Sequence, residues 1–84
     1  MATKYYVSYD LNRDKDYQKI TAELERYNAI RVLESLWCLP KENTSAKELR
    51  DHFKKYIDKD DQLIVIKSAG SAWTSVINNP TDLD

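Results

Sequence analysis

The residues best suited to chemistry in this sequence centre on Asp10, which ends an alternating run from Lys4 to Leu11. A carboxylate at the end of a strand can ligate Mg²⁺, which needs only one or two carboxylates beside waters and phosphate oxygens. A metal bound there could activate a water molecule. Asp10 could equally accept backbone N–H groups in the polar turn that follows, which is a common use of aspartate. The residue pattern leaves both roles open.

Three further residues could contact a substrate beside this carboxylate. Ser8 lies on the same face of the run, Arg13 follows in the turn, and Ser35 separates two later apolar runs. Hydroxyl groups can hydrogen-bond to water or phosphate, and a guanidinium can pair with phosphate. The two serines also suit simple roles in a sheet, and Arg13 lies among aspartates as on an ordinary solvated surface.

Composition limits the class of protein. With 84 residues and a hydrophobic fraction of 42%, the chain is expected to form one domain, residues 1–78, followed by a frayed acidic tail, residues 79–84. The net charge of −1 means that binding to nucleic acid would need a local basic patch. A single Cys and a single His exclude the usual zinc ligand set. Because no apolar run approaches membrane-spanning length and no signal segment is evident, we expect a cytoplasmic protein without membrane contact.

The hydrophobic pattern predicts a succession of strands and helices, because apolar side chains alternate in strands and recur every three or four residues in helices. Two runs around Ser35 could form a tight hairpin or one bent strand, and we favour the hairpin. Within the first helix, Glu23 falls on the side predicted to be solvated. The predicted strands are residues 4–11, 29–34, 36–39 and 62–67, and the predicted helices are residues 16–27 and 45–57.

The helix ends carry recognisable signals. Asp14 or Asp16 could cap the first helix, and Asn28 could end it because Asn tolerates the left-handed conformation. Ser45 begins the second helix with Glu48 three residues later, which is the spacing of a capping box.

The order strand, helix, strand, strand, helix, strand predicts an α+β fold, the ferredoxin-like βαββαβ two-layer sandwich. Right-handed crossovers would give a four-stranded antiparallel sheet with both helices on one face and the first and third strands central. The other face would be open and strongly apolar, which predicts a homodimer packed through it with twofold symmetry. Tyr6 and Trp37 could instead stack bases, although core or dimer packing is the favoured use. The residues predicted at this interface are Tyr6, Trp37, Ile64, Ile66 and Trp73.

The segments YVSYDL, VLESLW, TSAKELRDHF and DDQLIVI resemble the CRISPR-associated family of the small spacer-acquisition subunit and its relative, virulence-associated protein D. The resemblance spans about residues 4 to 76, and its most specific parts are Tyr9, Asp10 and Leu11 together with Ser35 and Trp37. It implies a ferredoxin-like fold, dimerisation through the sheets and contact with DNA or RNA. It also implies that Asp10 serves in divalent metal binding and phosphodiester cleavage.

Two hypotheses of different classes follow. The first is a dimeric protein that handles DNA or RNA, with Mg²⁺ as the expected cofactor if it is an endonuclease, in which a twofold axis pairs two Asp10 side chains. The second is a non-catalytic inhibitor or adaptor that binds a protein partner through its sheet. The slightly acidic charge favours the second, because contacts from Lys and Arg supply most non-specific affinity for nucleic acid. The residue pattern leaves enzymatic activity open.

Overall fold

Four strands and two helices follow one another in the predicted order. The computed structural model describes residues 3–11, 17–70, 72, 74–78 and 80. Its strands are β1 (Thr3–Asp10), β2 (Ile30–Leu33), β3 (Leu36–Lys41) and β4 (Gln62–Lys67), and its helices are α1 (Gln18–Arg26) and α2 (Ala46–Phe53). The strands form one antiparallel sheet in the order β2-β3-β1-β4, so the first and third strands are central. The predicted ferredoxin-like α+β fold and its hairpin between β2 and β3 are confirmed.

β1 is central because both of its edges are paired. Val7 lies opposite Trp37 of β3 on one side and Val65 of β4 on the other. Every second residue of β1 from Tyr5 to Tyr9 is buried against the helices, and the residues between them face the other way. Aromatic and β-branched side chains suit such a pleated surface, which explains why this run forms a strand.

α1 ends where the sequence predicts. Asn28 has a φ of 62°, in the left-handed region. Its N–H donates to the Glu25 carbonyl at 2.9 Å, and the Ala29 N–H donates to the Leu24 carbonyl at 3.0 Å. This pair of bonds is the Schellman arrangement, which satisfies carbonyls that the end of a helix otherwise leaves unpaired. The described residues do not include the predicted N-terminal caps Asp14 and Asp16.

α2 begins at half of the predicted capping box. Ser45 Oγ accepts a hydrogen bond from the Glu48 N–H at 3.1 Å, as predicted. The Glu48 carboxylate accepts instead from the Thr44 hydroxyl at 3.2 Å. One orphan N–H of the helix is therefore capped by Ser45, and Glu48 ties the preceding loop to the first turn. A short 3₁₀ turn, Lys54–Tyr56, extends α2 towards β4.

The hydrophobic core lies between the two helices and one face of the sheet. Ile20 and Leu24 of α1 and Leu49 and Phe53 of α2 meet the buried residues of β1 there, and each is at most 2% exposed. Burying one such side chain stabilises the fold by about 1.5–3 kcal/mol. These four positions follow the predicted helical spacing of three and four residues, so this part of the core is confirmed.

Trp37 belongs to this core, and its predicted place on the open face is wrong. Its side chain is 5% exposed and lies opposite Val7, on the side of the helices. Cys38 and Leu39 are both fully buried as well. Because β3 is buried on both faces, it lacks the alternation of polar and apolar residues that would indicate which way each side chain points.

Glu23 is also placed differently from its prediction. It is 6% exposed and lies between the helices instead of on the solvated side of α1. The Arg26 guanidinium donates to both of its carboxylate oxygens at 2.9 Å. A buried carboxylate is tolerated when such partners replace water, and hydrophobic periodicity carries no information about those partners.

The sheet face opposite the helices is partly covered by chain that follows β4. Residues 74–78 and Pro80, here called the C-terminal strap, reach across this face to β2. The Ile77 N–H donates to the Val32 carbonyl at 2.9 Å, and Asn78 Nδ2 donates to the Arg31 carbonyl at 2.9 Å. An apolar cavity of about 410 Å³ lies between the strap and side chains of β1, β2, β3 and β4.

The strap corrects two predictions about the open face and the tail. Pro80, assigned to a frayed tail, is fully buried, whereas residues 79 and 81–84 lie outside the described residues. The strap also covers part of the open face. On β4, Ile64 and Ile66 are still 55% and 49% exposed, as the prediction of an apolar face requires.

Candidate functional site at the end of β1

A cavity of about 320 Å³ opens at the C-terminal end of β1. Its walls come from β1, from the residue that precedes α1, from β2 and from the turn between β2 and β3. The side chains that line it are Tyr9, Asp10, Tyr17, Arg31, Glu34 and Ser35. Three of these six side chains carry charge, so the cavity is suited to an ionic ligand. We call it the β1 cleft.

Strand pairing explains why Asp10 and Ser35 meet in the β1 cleft. Ser8 lies opposite Leu36 in the antiparallel pair of β1 and β3, so the turn before Leu36 lies beside the end of β1. The Tyr9 N–H donates to the Ser35 carbonyl at 3.3 Å, which fixes the turn against the strand. The sheet thus brings two predicted site residues together, and their contact with a substrate stays a prediction.

Arg31 is held over an aromatic ring at the wall of the β1 cleft. Its Cζ lies 4.8 Å from the centre of the Trp37 ring, a cation–π arrangement. The indole is itself fixed, because Trp37 Nε1 donates to the Tyr9 hydroxyl at 3.1 Å in a buried hydrogen bond. Tyr9 further contacts the ring of Tyr17 at a centroid distance of 5.8 Å. Three aromatic side chains therefore position one guanidinium in the cavity that Asp10 also lines.

The guanidinium of Arg31 has unused hydrogen-bonding capacity. Its Nε is buried and lacks a hydrogen-bond partner within the described part of the chain. The ion pairs formed among those residues do not involve Arg31 either. A buried donor without a partner is costly, and Nε itself is closed to a ligand because its surface is covered. The Arg31 side chain still lines the cleft, and its positive charge suits an anion such as a phosphate group.

The carboxylates of the β1 cleft fit a divalent cation. Asp10 and Glu34 both line the cleft, and Ser35 adds a hydroxyl oxygen. Mg²⁺ prefers oxygen ligands and usually binds one or two carboxylates, with waters and phosphate completing its shell. Among the described residues that line the cleft, two carboxylates face one guanidinium, which gives these residues a net charge of −1. A phosphate group would therefore bind more favourably together with a cation than alone.

Asp10 also connects the β1 cleft to the open face. A second, shallower cavity of about 530 Å³ lies on that face and shares Asp10 and Ser35 with the cleft. Its wall includes Ser8 from β1 and Ile64 from β4. Asp10 itself is exposed. A second molecule packed on the open face beside Ile64 would therefore approach this carboxylate.

The predicted site residues fall into three groups. Asp10, Ser8 and Ser35 come together at the end of β1, and Tyr6 lies on the open face with Ile64 and Ile66. Trp37 lies on the opposite side of the sheet, so Tyr6 and Trp37 do not form a shared base-stacking surface. Arg13 and Trp73 lie outside the described residues, as does the turn in which Asp10 could accept backbone N–H groups.

Sequence reasoning missed Arg31, Glu34 and Tyr17. One signal could have indicated Arg31: it is a charged residue inside an otherwise apolar strand run. Its face is set by its pairing with Trp37, and an irregularity of pairing, a β-bulge, follows between Arg31 and Leu33. Bulges re-aim side chains and are frequent beside functional sites, yet short apolar runs do not reveal them.

Glu23 and Tyr56, two groups with shifted pKa values, lie where the helices meet, away from the β1 cleft. Hydrogen bonds from Arg26, opposed by burial and reinforced by His52, lower the pKa of Glu23 to about 2. Burial and the nearby Glu23 carboxylate raise the pKa of the Tyr56 hydroxyl. These shifts follow from an ion pair that ties α1 to α2, which is a structural role.

The fold and the β1 cleft define a ferredoxin-like α+β protein with carboxylates and a guanidinium at the end of its first strand. The family CRISPR associated protein Cas2 matches residues 3–76, and the chain belongs to that family. The predicted resemblance to a CRISPR-associated protein is thereby confirmed. A comparison with solved structures found no match. Within the described residues, no helix has the length and apolar character needed to cross a membrane.

Proposed function

We propose that this CRISPR-associated protein binds the phosphodiester backbone of a nucleic acid in the β1 cleft and cleaves it with the aid of Mg²⁺. The observation that carries the proposal is Arg31, a cation stacked on Trp37 with a buried Nε that has no hydrogen-bond partner among the described residues. It lines the same cavity as Asp10, the carboxylate best suited to a metal. A guanidinium and a carboxylate side by side favour a phosphate bound together with a cation.

Each residue of the cleft would have a separate role in this reaction. The Arg31 guanidinium would donate to a non-bridging phosphate oxygen and oppose the negative charge that grows during displacement. Asp10 would hold the metal, with Glu34 or the Ser35 hydroxyl available as a further oxygen ligand. The bound ion would supply an activated water for hydrolysis. Trp37 and Tyr9 would keep the guanidinium in place without touching the substrate.

A twofold dimer through the free part of the open face would place a second Asp10 near the first. Ile64 is 55% exposed and lines the same shallow cavity as Asp10. An exposed apolar row beside a functional carboxylate favours a partner surface, and a homodimer is the simplest partner. Tyr6 and Ile66 lie closer to the strap, where they line the apolar cavity of about 410 Å³.

The experiment compares the wild type with three variants on a labelled single-stranded RNA and a labelled duplex DNA, with and without Mg²⁺. Asp10→Ala should abolish Mg²⁺-dependent cleavage while the fold is retained. Arg31→Ala should weaken binding of the cleaved nucleic acid by roughly tenfold, since it removes a charge-assisted hydrogen bond. Arg50→Ala is the matched control, because Arg50 is an exposed arginine paired with Asp51. Wild-type protein that shows no salt-sensitive binding to either nucleic acid would contradict the proposal.

A second candidate function is a non-catalytic protein that binds another protein through its sheet. The exposed apolar side chains Ile64, Ile66 and Leu33 favour it, as does the net charge of −1. In that case binding of a copurified protein partner would be retained by Asp10→Ala and lost in Ile64→Lys. Nucleic-acid binding would be absent from the wild type.

A further inference from the structure

The C-terminal strap and the β1 cleft share one residue, Arg31. Its side chain lines the cleft, while its backbone carbonyl accepts from Asn78 Nδ2 of the strap at 2.9 Å. The next carbonyl along β2, that of Val32, accepts from the Ile77 N–H at 2.9 Å. Two consecutive strap residues thus bind two consecutive carbonyls of the strand that carries the guanidinium.

β2 has little else to fix its backbone at this point. It contains four residues, lies at the edge of the sheet and pairs only with β3. Its pairing is irregular between Arg31 and Leu33, so the bulge falls at Val32. A bulge interrupts the ladder of backbone hydrogen bonds and bends the strand. The strap supplies bonds from outside the sheet where the ladder is broken.

The side chain of Arg31 depends on that backbone. Its guanidinium lies over the Trp37 ring, with Cζ at 4.8 Å, and its buried Nε has no hydrogen-bond partner among the described residues. Trp37 is fixed by its bond to Tyr9, so the ring cannot follow a displaced guanidinium. Loss of the hold on the Arg31 carbonyl would therefore misalign the guanidinium with respect to its ring and to Asp10.

We propose that Asn78 is a positioning residue for Arg31: its side-chain amide holds the Arg31 backbone so that the guanidinium stays over Trp37 and faces a phosphate in the β1 cleft. The identity of the ligand rests on the proposed function. The hold of Asn78 on Arg31 does not, and it can be tested without any ligand. Asn78 does not touch the phosphate. It acts through β2.

The ligand-free test uses nuclear magnetic resonance of the Arg31 Nε–Hε group in the full chain. Asn78→Asp keeps the size of the side chain and removes the donor, so the Nε–Hε group should become more mobile and its resonance should shift towards that of a solvated arginine. Asn78→Ala should do the same. Thr74→Ala is the matched control in the strap, because Thr74 is exposed and lines the apolar cavity. It should leave the Arg31 resonance unchanged.

The binding test uses the same labelled RNA and DNA with Mg²⁺. Asn78→Asp should raise the Kd by about threefold to tenfold, the range expected for one lost hydrogen bond. In the Arg31→Ala background it should cause no further increase, because the residue it positions is gone. An equal loss in both backgrounds, or an unchanged Nε–Hε resonance, would overturn the inference. If wild-type protein binds neither nucleic acid, the proposed function fails, whereas the resonance test still decides the role of Asn78.

Discussion

His52 Nε2 lies 2.6 Å from Glu23 Oε2 and links α2 to α1 through a carboxylate that is 6% exposed. The same carboxylate accepts from Arg26 at 2.9 Å through each oxygen. The His52 ring packs against Tyr27 and Tyr56, at centroid distances of 5.0 and 5.5 Å. The contact between the helices is therefore a hydrogen-bonded charge surrounded by aromatic rings, and it depends on Glu23 being ionised.

Acid should weaken the protein through Glu23. Its pKa in the folded state is about 2, below its ordinary value of 4.5, because Arg26 and His52 stabilise the ionised form. As pH falls, the unfolded chain takes up the proton first. This contribution is therefore fully present above about pH 4.5 and is lost as pH falls from there towards about 2. Urea unfolding at a series of pH values should show this decline in the free energy of unfolding.

Glu23→Gln isolates that contribution. At neutral pH it should lower the free energy of unfolding by about 1–3 kcal/mol, since it removes hydrogen bonds to a charged group. Its pH dependence in the acid range should be shallower than that of the wild type. Glu25→Gln is the control, because Glu25 is an exposed residue of the same helix. Parallel curves for wild type and Glu23→Gln would contradict the assignment.

The order and the ends of the strands and helices could be predicted, because they follow from local sequence patterns. Asn28 ends α1 through its left-handed backbone, and Ser45 caps α2 through its side chain. Both effects act within a few residues of the chain. Gln62–Lys67 forms β4 within its predicted bounds, since four apolar residues in a row suit a strand. The order of these elements then leaves few arrangements, and the ferredoxin-like sandwich is the simplest.

The candidate site was only partly predictable, because it depends on contacts between distant segments. Asp10 and Ser35 could be proposed from their positions near the ends of runs. Arg31 could not, because its place in the cleft follows from its pairing with Trp37 of β3 and its backbone is bound by the distant strap. Trp37 was assigned to the wrong face for a related reason, since a strand buried on both sides shows no alternation.

The bond between Trp37 and Tyr9 should be measurable as a coupling. Trp37→Phe keeps a ring beneath Arg31 and removes the N–H that donates to the Tyr9 hydroxyl at 3.1 Å. Tyr9→Phe removes the acceptor. Each change should lower the free energy of unfolding by about 1 kcal/mol or more, because the partner left behind is buried. The measurement is urea unfolding followed by circular dichroism, which does not depend on tryptophan fluorescence.

The double variant tests whether the two effects share one interaction. Trp37→Phe with Tyr9→Phe should cost less than the two single changes together, since removing both partners leaves no unsatisfied polar group. Tyr6→Phe serves as the control on the other face of β1, and its effect should add to that of Trp37→Phe. Additive losses for Trp37 and Tyr9 would show that the hydrogen bond contributes nothing.

The dimer proposed through the open face should depend on Ile64. Ile64→Lys places a charge on the open face in the cavity that Asp10 also lines, where a partner would have to desolvate it. Light scattering at micromolar concentration should give a dimer mass for the wild type and a monomer mass for the variant. Because Ile64 is 55% exposed, the free energy of unfolding of the monomer should change little.

Ile77→Lys is the matched control for this experiment. Ile77 is also an exposed isoleucine, 60% accessible, but it lies in the strap at the far side of the sheet beside β2. The variant should remain dimeric. A wild type that is a clean monomer, or a loss of the dimer in Ile77→Lys alone, would contradict dimerisation through the surface around Ile64.

Asp10→Asn should affect nucleic-acid binding in opposite directions with and without Mg²⁺. The β1 cleft holds the carboxylates of Asp10 and Glu34 and the guanidinium of Arg31, so without metal Asp10 repels a phosphate. Removing its charge should tighten metal-free binding roughly twofold to fivefold, the range for a partly exposed charge pair. With Mg²⁺ the same change removes a metal ligand, so binding should weaken and cleavage should stop.

Titrations of labelled RNA and DNA at fixed ionic strength, with Mg²⁺ or with EDTA, measure both effects, and Glu25→Gln controls for the change in net charge. A variant that binds more tightly in both conditions would show that Asp10 repels phosphate without holding a metal, and one that binds more weakly in both would show that its carboxylate contacts the nucleic acid directly.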